Sequence, residues 1–254
     1  MPALIRRTSR LAYVIPFAAL LFAACNDSST KRADGSSPPA DVSSARNESP
    51  TPPVVPSLGS ARTYGVLAAS AVTCAGPVGT IRADVGLSPG SGITGFPTCT
   101  ISGARHIANA AAATAQDDLT AAYNALAGLP CGITISADLG GRTIAPGVYC
   151  SGSSVGVTGN LTLDGQGSSD ATFVIQAGSA LTVAGSINLI GGARPENVHW
   201  VAGSSATLGT GSAMQGNILA FSSITLNDNA SVVGRVLARN GAVVLGSNNS
   251  ITLP

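Results

Sequence analysis

The sequence predicts an all-β solenoid, a three-faced β-helix with one α-helix packed along a face. Three observations carry that prediction: a glycine-rich, weakly charged composition, a strand pattern that recurs every 18 or 19 residues, and one alanine-rich helical stretch. The chain has 254 residues, 31 of them glycine, with a formal net charge of +1. That length allows one or two domains. Hydrophobic residues make up 44% but aromatic residues only 4%, so the core must be built from small aliphatic side chains in narrow layers. Charged residues are 10%, too few and too balanced for a groove that binds nucleic acid, which needs clustered positive charge.

The first segment reads as an address. Arg6, Arg7 and Arg10 precede an apolar run over 11–24 that ends at Cys25. A charged start, a short apolar run and small residues before a cleavage point describe an export signal over 1–25. The run is too short to span a hydrocarbon core of roughly 30 Å comfortably. Leu21-Phe22-Ala23-Ala24-Cys25 resembles a bacterial lipobox, with Phe22 in place of the usual Leu. It predicts a lipid on Cys25 and anchorage to the outer membrane or cell surface. The alternative is an ordinary signal peptide cut near Ala24 and a secreted chain. Residues 26–57 are rich in Ser, Pro, Asp and Thr and have almost no large apolar side chains. They cannot bury enough surface to offset ordering entropy, which predicts a disordered tether.

With Cys25 set aside, Cys74, Cys99, Cys131 and Cys150 form an even set for an oxidising compartment. Three pairings are possible. Cys74–Cys99 with Cys131–Cys150 is favoured because each closes a local loop. A metal site is not expected, because no two cysteines stand at C-x-x-C spacing.

The repeat lies in the second half. Ala180-Leu181-Thr182-Val183, Ser205-Ala206-Thr207-Leu208, Ser223-Ile224-Thr225-Leu226 and Ala242-Val243-Val244-Leu245 share one alternating pattern. Alternation sends Leu181, Ala206, Ile224 and Val243 inward as a stacked column and turns Thr182, Thr207, Thr225 and Val244 outward. Two further series lie between. Val198, Ile218 and Val236 open segments that are apolar at consecutive positions, as in a strand buried on both sides. Ser186, Ser231 and Ser250 open the third series. Three short strands per repeat, separated by Gly, Asn and Ser turns, make one coil of a three-faced solenoid over 58–254.

The doubly apolar face needs a cover. The stretch 104–127 supplies it, with Ile107, Ala111, Ala115, Leu119, Ala122 and Leu126 spaced for one helical stripe. Ser102 or Gly103 would start this helix, and Gly128 with Pro130 would end it.

Several stretches resemble one family in the right order. They are Gly86-Leu87-Ser88-Pro89-Gly90, Ala137-Asp138-Leu139-Gly140-Gly141, Ala145-Pro146-Gly147-Val148-Tyr149, the run 198–210 beginning Val198-His199-Trp200, and 234–243 beginning Gly234-Arg235-Val236. Residues 58–254 closely resemble the bacterial and fungal ice-binding proteins. The resemblance implies a discontinuous right-handed β-helix with a flanking helix. It also implies binding to ice or its ordered water, with no substrate turned over and no cofactor, and a monomer is expected. A lipid on Cys25 would make the membrane a second partner.

In that family a T-A/G-x-T/N pattern often marks the ice-contacting face. The aligned stretches here are Thr210-Gly211-Ser212-Ala213, Asp228-Asn229-Ala230-Ser231 and Ser247-Asn248-Asn249-Ser250. They nominate Thr210, Ser212, Ser231, Ser247, Asn249 and Ser250, with Thr158 and Asn160 from an earlier coil. Asp228 adds a hydrated charge there, and Met214 and Val233 break the regularity. The competing face carries Thr182, Thr207 and Thr225, where outward Thr also suits a strand for β propensity alone.

Other motifs are read as packing or coincidence. Gly152-Ser153-Ser154-Val155-Gly156 satisfies G-x-S-x-G, but Val157-Thr158-Gly159-Asn160-Leu161 looks like another coil rather than a helix. Gly90-Ser91-Gly92-Ile93-Thr94-Gly95 satisfies G-x-G-x-x-G, but Phe96-Pro97 follows where a helix should open. His106 is expected on the first helical turn and His199 on the covered face. Asp117 and Asp118 are expected on the helix's solvated side. Asp138, Asp164, Asp170 and Asp228 are scattered and 58–254 contains no Lys, so no enzyme is expected. The rival to ice binding is a cell-surface adhesion or matrix module on the same fold.

Overall fold

The computed structural model describes residues 55–254 apart from Val78 and Pro97. The export signal, Cys25 and all of the 26–57 tether before Val55 lie outside the described residues. Leu58 is buried and Val55 packs against the same cluster, so ordered packing begins three residues before the expected boundary.

Among the described residues twenty short strands pair in parallel into one continuous sheet that winds around a narrow aliphatic interior. The chain first makes two coils, Tyr64–Ala68, Ala71–Cys74 and Gly79–Arg82, then Asp84–Leu87, Gly92–Thr94 and Cys99–Ile101. After Arg105–Ile107 the helix Ala110–Ala127 runs along the body, and the remaining coils follow from Ile133–Thr134 to Ser250–Thr252. The last of these docks onto the first: Val236 pairs with Val66, Val243 with Val72 and Ser250 with Thr80. Stacking order therefore differs from chain order, which is the discontinuity that the resemblance implies.

The predicted inward column is present. Leu181, Ala206, Ile224 and Val243 pair in register and are buried, while Thr182, Thr207, Thr225 and Val244 stand outward. The second series needs a correction. Ile218 pairs with Trp200, not with Val198, and Val236 follows Ile218. Because strand side chains alternate with period two, a slip of two residues leaves every side chain on its assigned face. The third series gains a rung, since Ala213-Met214-Gln215 sits between Ser186 and Ser231. Met214 is buried there and does not disturb the outer surface.

At the bend between the second and third faces the backbone turns within a single strand. Gly159 has φ +85°, and a side chain at Gly185, one coil further along the stack, would collide with the Gly159 carbonyl. Only residues without Cβ allow such close stacking of corners.

The helix covers one face as expected, through Ala115, Leu119, Ala122, Tyr123 and Leu126 against Val148, Val174, Val201, Leu219, Leu237 and Leu67. The Tyr123 hydroxyl donates to the Ala202 carbonyl at 3.1 Å. Its start differs from the sequence expectation. Arg105–Ile107 is a strand paired with Val85–Leu87, and the helix begins at Ala110, capped by the Asn109 side chain, which accepts from the Ala112 amide at 2.9 Å. Pairing with an existing coil outweighs helical periodicity for these three residues, so Ile107 leaves the stripe and Ala111 is exposed. His106 accordingly lies on a strand, its Nε2 3.8 Å from an Asp84 carboxylate oxygen. Disulfides join Cys74 to Cys99 and Cys131 to Cys150, each tying neighbouring coils together. Each closes a loop whose loss from the unfolded ensemble contributes about 3 kcal/mol in the chain-entropy model. No helix among the described residues is long and apolar enough to cross a membrane.

His199 is buried on the covered side. Burial lowers its pKa from 6.5 to about 4, and the Arg235 guanidinium pushes in the same direction. Between those values the folded chain binds fewer protons than the unfolded chain. Its contribution is therefore complete above about pH 6.5 and is lost as the pH falls towards 4. A shift of that size corresponds to about 3 kcal/mol. Thermal unfolding at pH 7 and pH 4 is expected to show the loss, and His199→Phe is expected to flatten it. An undiminished pH dependence in that variant would assign the effect to other groups.

Candidate functional site

The outward threonines form a longer array than the repeat suggests. Gly156, Thr182, Thr207, Thr225, Val244, Thr73 and Thr94 occupy successive rungs of one ladder. Thr73 and Thr94 come from the two N-terminal coils, and the Thr94 hydroxyl donates to that of Thr73 at 3.2 Å. Ala71-Val72-Thr73 and Gly92-Ile93-Thr94 show the same alternation as Ser223-Ile224-Thr225. They were missed because the helix and several coils separate them in sequence from the repeat they join.

The residues two positions either side of Thr182, Thr207, Thr225 and Val244 lie, except for Ala184, in the turns that flank these strands. They are Ala180, Ser205, Ser223 and Ala242 on one flank, and Ala184, Gly209, Asn227 and Gly246 on the other. None is charged and none is large. Parallel rungs stand about 4.7–4.9 Å apart, so methyl and hydroxyl groups repeat at that interval down the column. Below them the inward aliphatic column and the ladder hydrogen bonds fix the backbone. At the column's end Asp138 is bridged to Gly156. Backbone amides of Gly140 and Thr158 donate to it and hold its pKa below the ordinary value.

The first-choice residues are divided by the corner. Thr158 is exposed on the threonine side, beside Ala184, whereas Asn160 pairs with Ser186 on the third face. Ser231 and Ser250 join that third-face column, which runs Asn160, Ser186, Ala213, Ser231, Ser250, Thr80 and Thr100. Thr210 and Ser247 lie in the corner turns, where Gly211, Asn229 and Asn248 adopt positive φ. Two expectations are overturned outright: Ser212 is 1% exposed and Asn249 2% exposed. The Asn249 amide donates to the carbonyls of Asn227 and Ala230, holding the turn from inside. Neither can meet an external surface. The eight residues therefore do not share one plane.

Asp228 also has a structural job, since its carboxylate accepts from the Ser247 amide at 2.7 Å. The rest of the third face is uneven. Its second column holds Thr162, Asn188, Gln215, Val233, Thr252 and Arg82, and Ile190 projects 48% exposed at the end of its strand.

The discounted motifs fall where no helix follows them. Gly152-Ser153-Ser154 forms a corner before the strand Val155–Asp164, and Gly92–Thr94 is itself a strand. Among the described residues no cluster of three His, Cys, Asp or Glu side chains could hold a metal ion.

Known proteins of the same architecture carry a common label. A family model described as Ice-binding-like matches residues 66–252. An ice-binding protein of Nostoc sp. (strain HG1) is 46% identical over 195 residues, covering 75% of this chain and 72% of that protein. The crystal structure of an ice-binding protein from an Antarctic biological consortium superposes with a TM-score of 0.78 at 42% identity, covering 80% of this chain and 93% of that one. That of an ice-binding protein from the Antarctic ascomycete Antarctomyces psychrotrophicus gives 0.74 at 38% identity, covering 77% and 97%.

Proposed function

The chain belongs to the Ice-binding-like family, and from that premise we propose that it adsorbs to ice through the threonine face and so restrains crystal growth and recrystallisation. The observation that carries the choice of face is the uninterrupted, uncharged column from Thr182 to Thr94. A hydroxyl and a methyl group on each Thr offer water one hydrogen-bonding site and one apolar wall. Each contact is weak, so association succeeds only where many contacts are aligned beforehand and little ordering cost is left. A stiff ladder supplies that alignment, and Val244 keeps the same β-branched shape within it. No group in this mechanism turns over a substrate.

Export and lipid attachment at Cys25, with display at the cell surface, belong to the same proposal. Arg6, Arg7, Arg10 and the apolar run before Cys25 support them, as do two disulfides that persist only in an oxidising compartment. One preparation tests the reading. Membranes of a bacterium expressing the whole chain are expected to retain it, and the extracted chain is expected to facet growing ice crystals at micromolar concentration. A folded chain that leaves crystals round and lets them coarsen would overturn ice adsorption; a chain free of membranes would overturn the anchor.

A further inference from the structure

A second surface, away from the threonine face, has the makings of a binding site. The helix and three successive corners of the solenoid enclose an open groove of about 610 Å³. Its polar groups include Gln116, Asp117 and Thr120 from the helix, Ser70, Ser88 and Asn240 from the corners, and Arg239.

Three features set this groove apart from ordinary surface. Gln116 is only 8% exposed, and its Oε1 has no hydrogen-bond partner, although its amide nitrogen reaches the Ala238 carbonyl at 3.4 Å. A buried carbonyl oxygen without a donor is costly unless something supplies one. Asp117 and Arg239 line the same groove, yet among the described residues neither forms an ion pair within 4.0 Å. Finally, the Arg239 guanidinium lies 5.3 Å from the Phe221 ring centroid and 5.5 Å from that of Tyr123. The two rings hold the guanidinium in place. Phe221, 41% exposed, stands beside Arg239 at the margin of the groove and packs against Tyr123, with ring centroids 6.0 Å apart.

The donor and acceptor set selects the ligand's chemistry. A carboxylate accepts two bonds, a guanidinium donates in a planar fork, and two amides do both. Adjacent hydroxyl groups on a ring match such pairs. The one positive and one negative charge cancel, so neither an anion nor a cation is favoured. The exposed part of the Phe221 ring offers apolar surface to the C–H groups of a sugar ring. An open trough rather than an enclosed cavity suits a segment of a longer chain. We propose that this groove binds a neutral saccharide chain, such as a surface or matrix polysaccharide.

The test is native electrophoresis of the whole chain in gels containing dextran, a soluble β-1,3-glucan or hydroxyethyl cellulose. At least one polymer is expected to slow the chain, and Asp117→Ala and Phe221→Ala are each expected to weaken that retardation about ten-fold. Asp117 is exposed and Phe221 is 41% exposed; circular dichroism melts show whether each variant keeps the fold, and both are expected to shape ice as the parent does. Unchanged mobility in all three gels, or retardation that survives both substitutions, would overturn the proposal. Because Thr207→Tyr leaves this groove intact, a variant that loses ice adsorption yet keeps retardation separates the two surfaces.

Discussion

Thr207→Tyr is expected to lower ice-shaping activity at least ten-fold while leaving the thermal unfolding midpoint within about 2 °C of the parent. Thr207 lies inside the column, in register between Thr182 and Thr225. A tyrosine ring there stands several ångströms above its neighbours and lifts a flat crystal surface away from rungs on both sides. Simultaneous contact is the source of affinity in this reading, so a single obstruction removes much more than one residue's share. The stability cost is small because the side chain already points outward, where substitutions usually change stability by no more than about 0.5 kcal/mol. Ser231→Tyr and Ser250→Tyr, on the third face, are expected to retain most activity. Ice-crystal morphology and recrystallisation assays decide between the faces, and the reverse ranking would move the contact surface to the Asn160–Ser186–Ser231–Ser250 column.

Leu119→Ala is expected to produce the larger stability change, a loss of about 3 kcal/mol. Leu119 is fully buried between the helix and the face it covers, in the cluster that holds Val174, Val201, Leu219 and Leu237. Removing a buried Leu side chain loses its transfer free energy and leaves a cavity, together about 2–5 kcal/mol. In a domain of this size that corresponds to a fall of roughly 6–12 °C in Tm. Circular dichroism melts would show it. The threonine column lies on a different face, so crystal shaping well below the melt is expected to persist. A fall in Tm under about 2 °C would mean that the helix does not provide the essential cover.

The two predictions rest on features that were unequally legible. The inward and outward parity of Leu181, Ala206, Ile224 and Val243 could be read from alternation, because a pleated strand leaves no other choice. The cover could be inferred because strands apolar on both sides, such as that containing Val201, cannot remain exposed. Local loop closure gave both disulfides. The start of the helix was misplaced because Arg105-His106-Ile107 answers to a neighbouring coil, which no local periodicity reports.

The surface was harder still. Asn249 and Ser212 look like outward polar residues in sequence, but a corner turns its backbone so that alternate positions no longer alternate in exposure. Asn249 then satisfies backbone carbonyls from within. Parity holds along a strand and fails at a bend, and the family pattern falls on a bend in this chain.

The sequence by itself determined the solenoid, its narrow aliphatic interior, the need for a helix and the scarcity of charge. These follow from composition and from periods of two and about eighteen, which act over short distances along the chain. Only the tertiary structure decided how long the threonine face is and which residues share its plane. The reason is that the last coil stacks on the first. Thr73 and Thr94 complete an array whose other members lie beyond the helix, and spatial adjacency of that kind leaves no periodic trace in sequence.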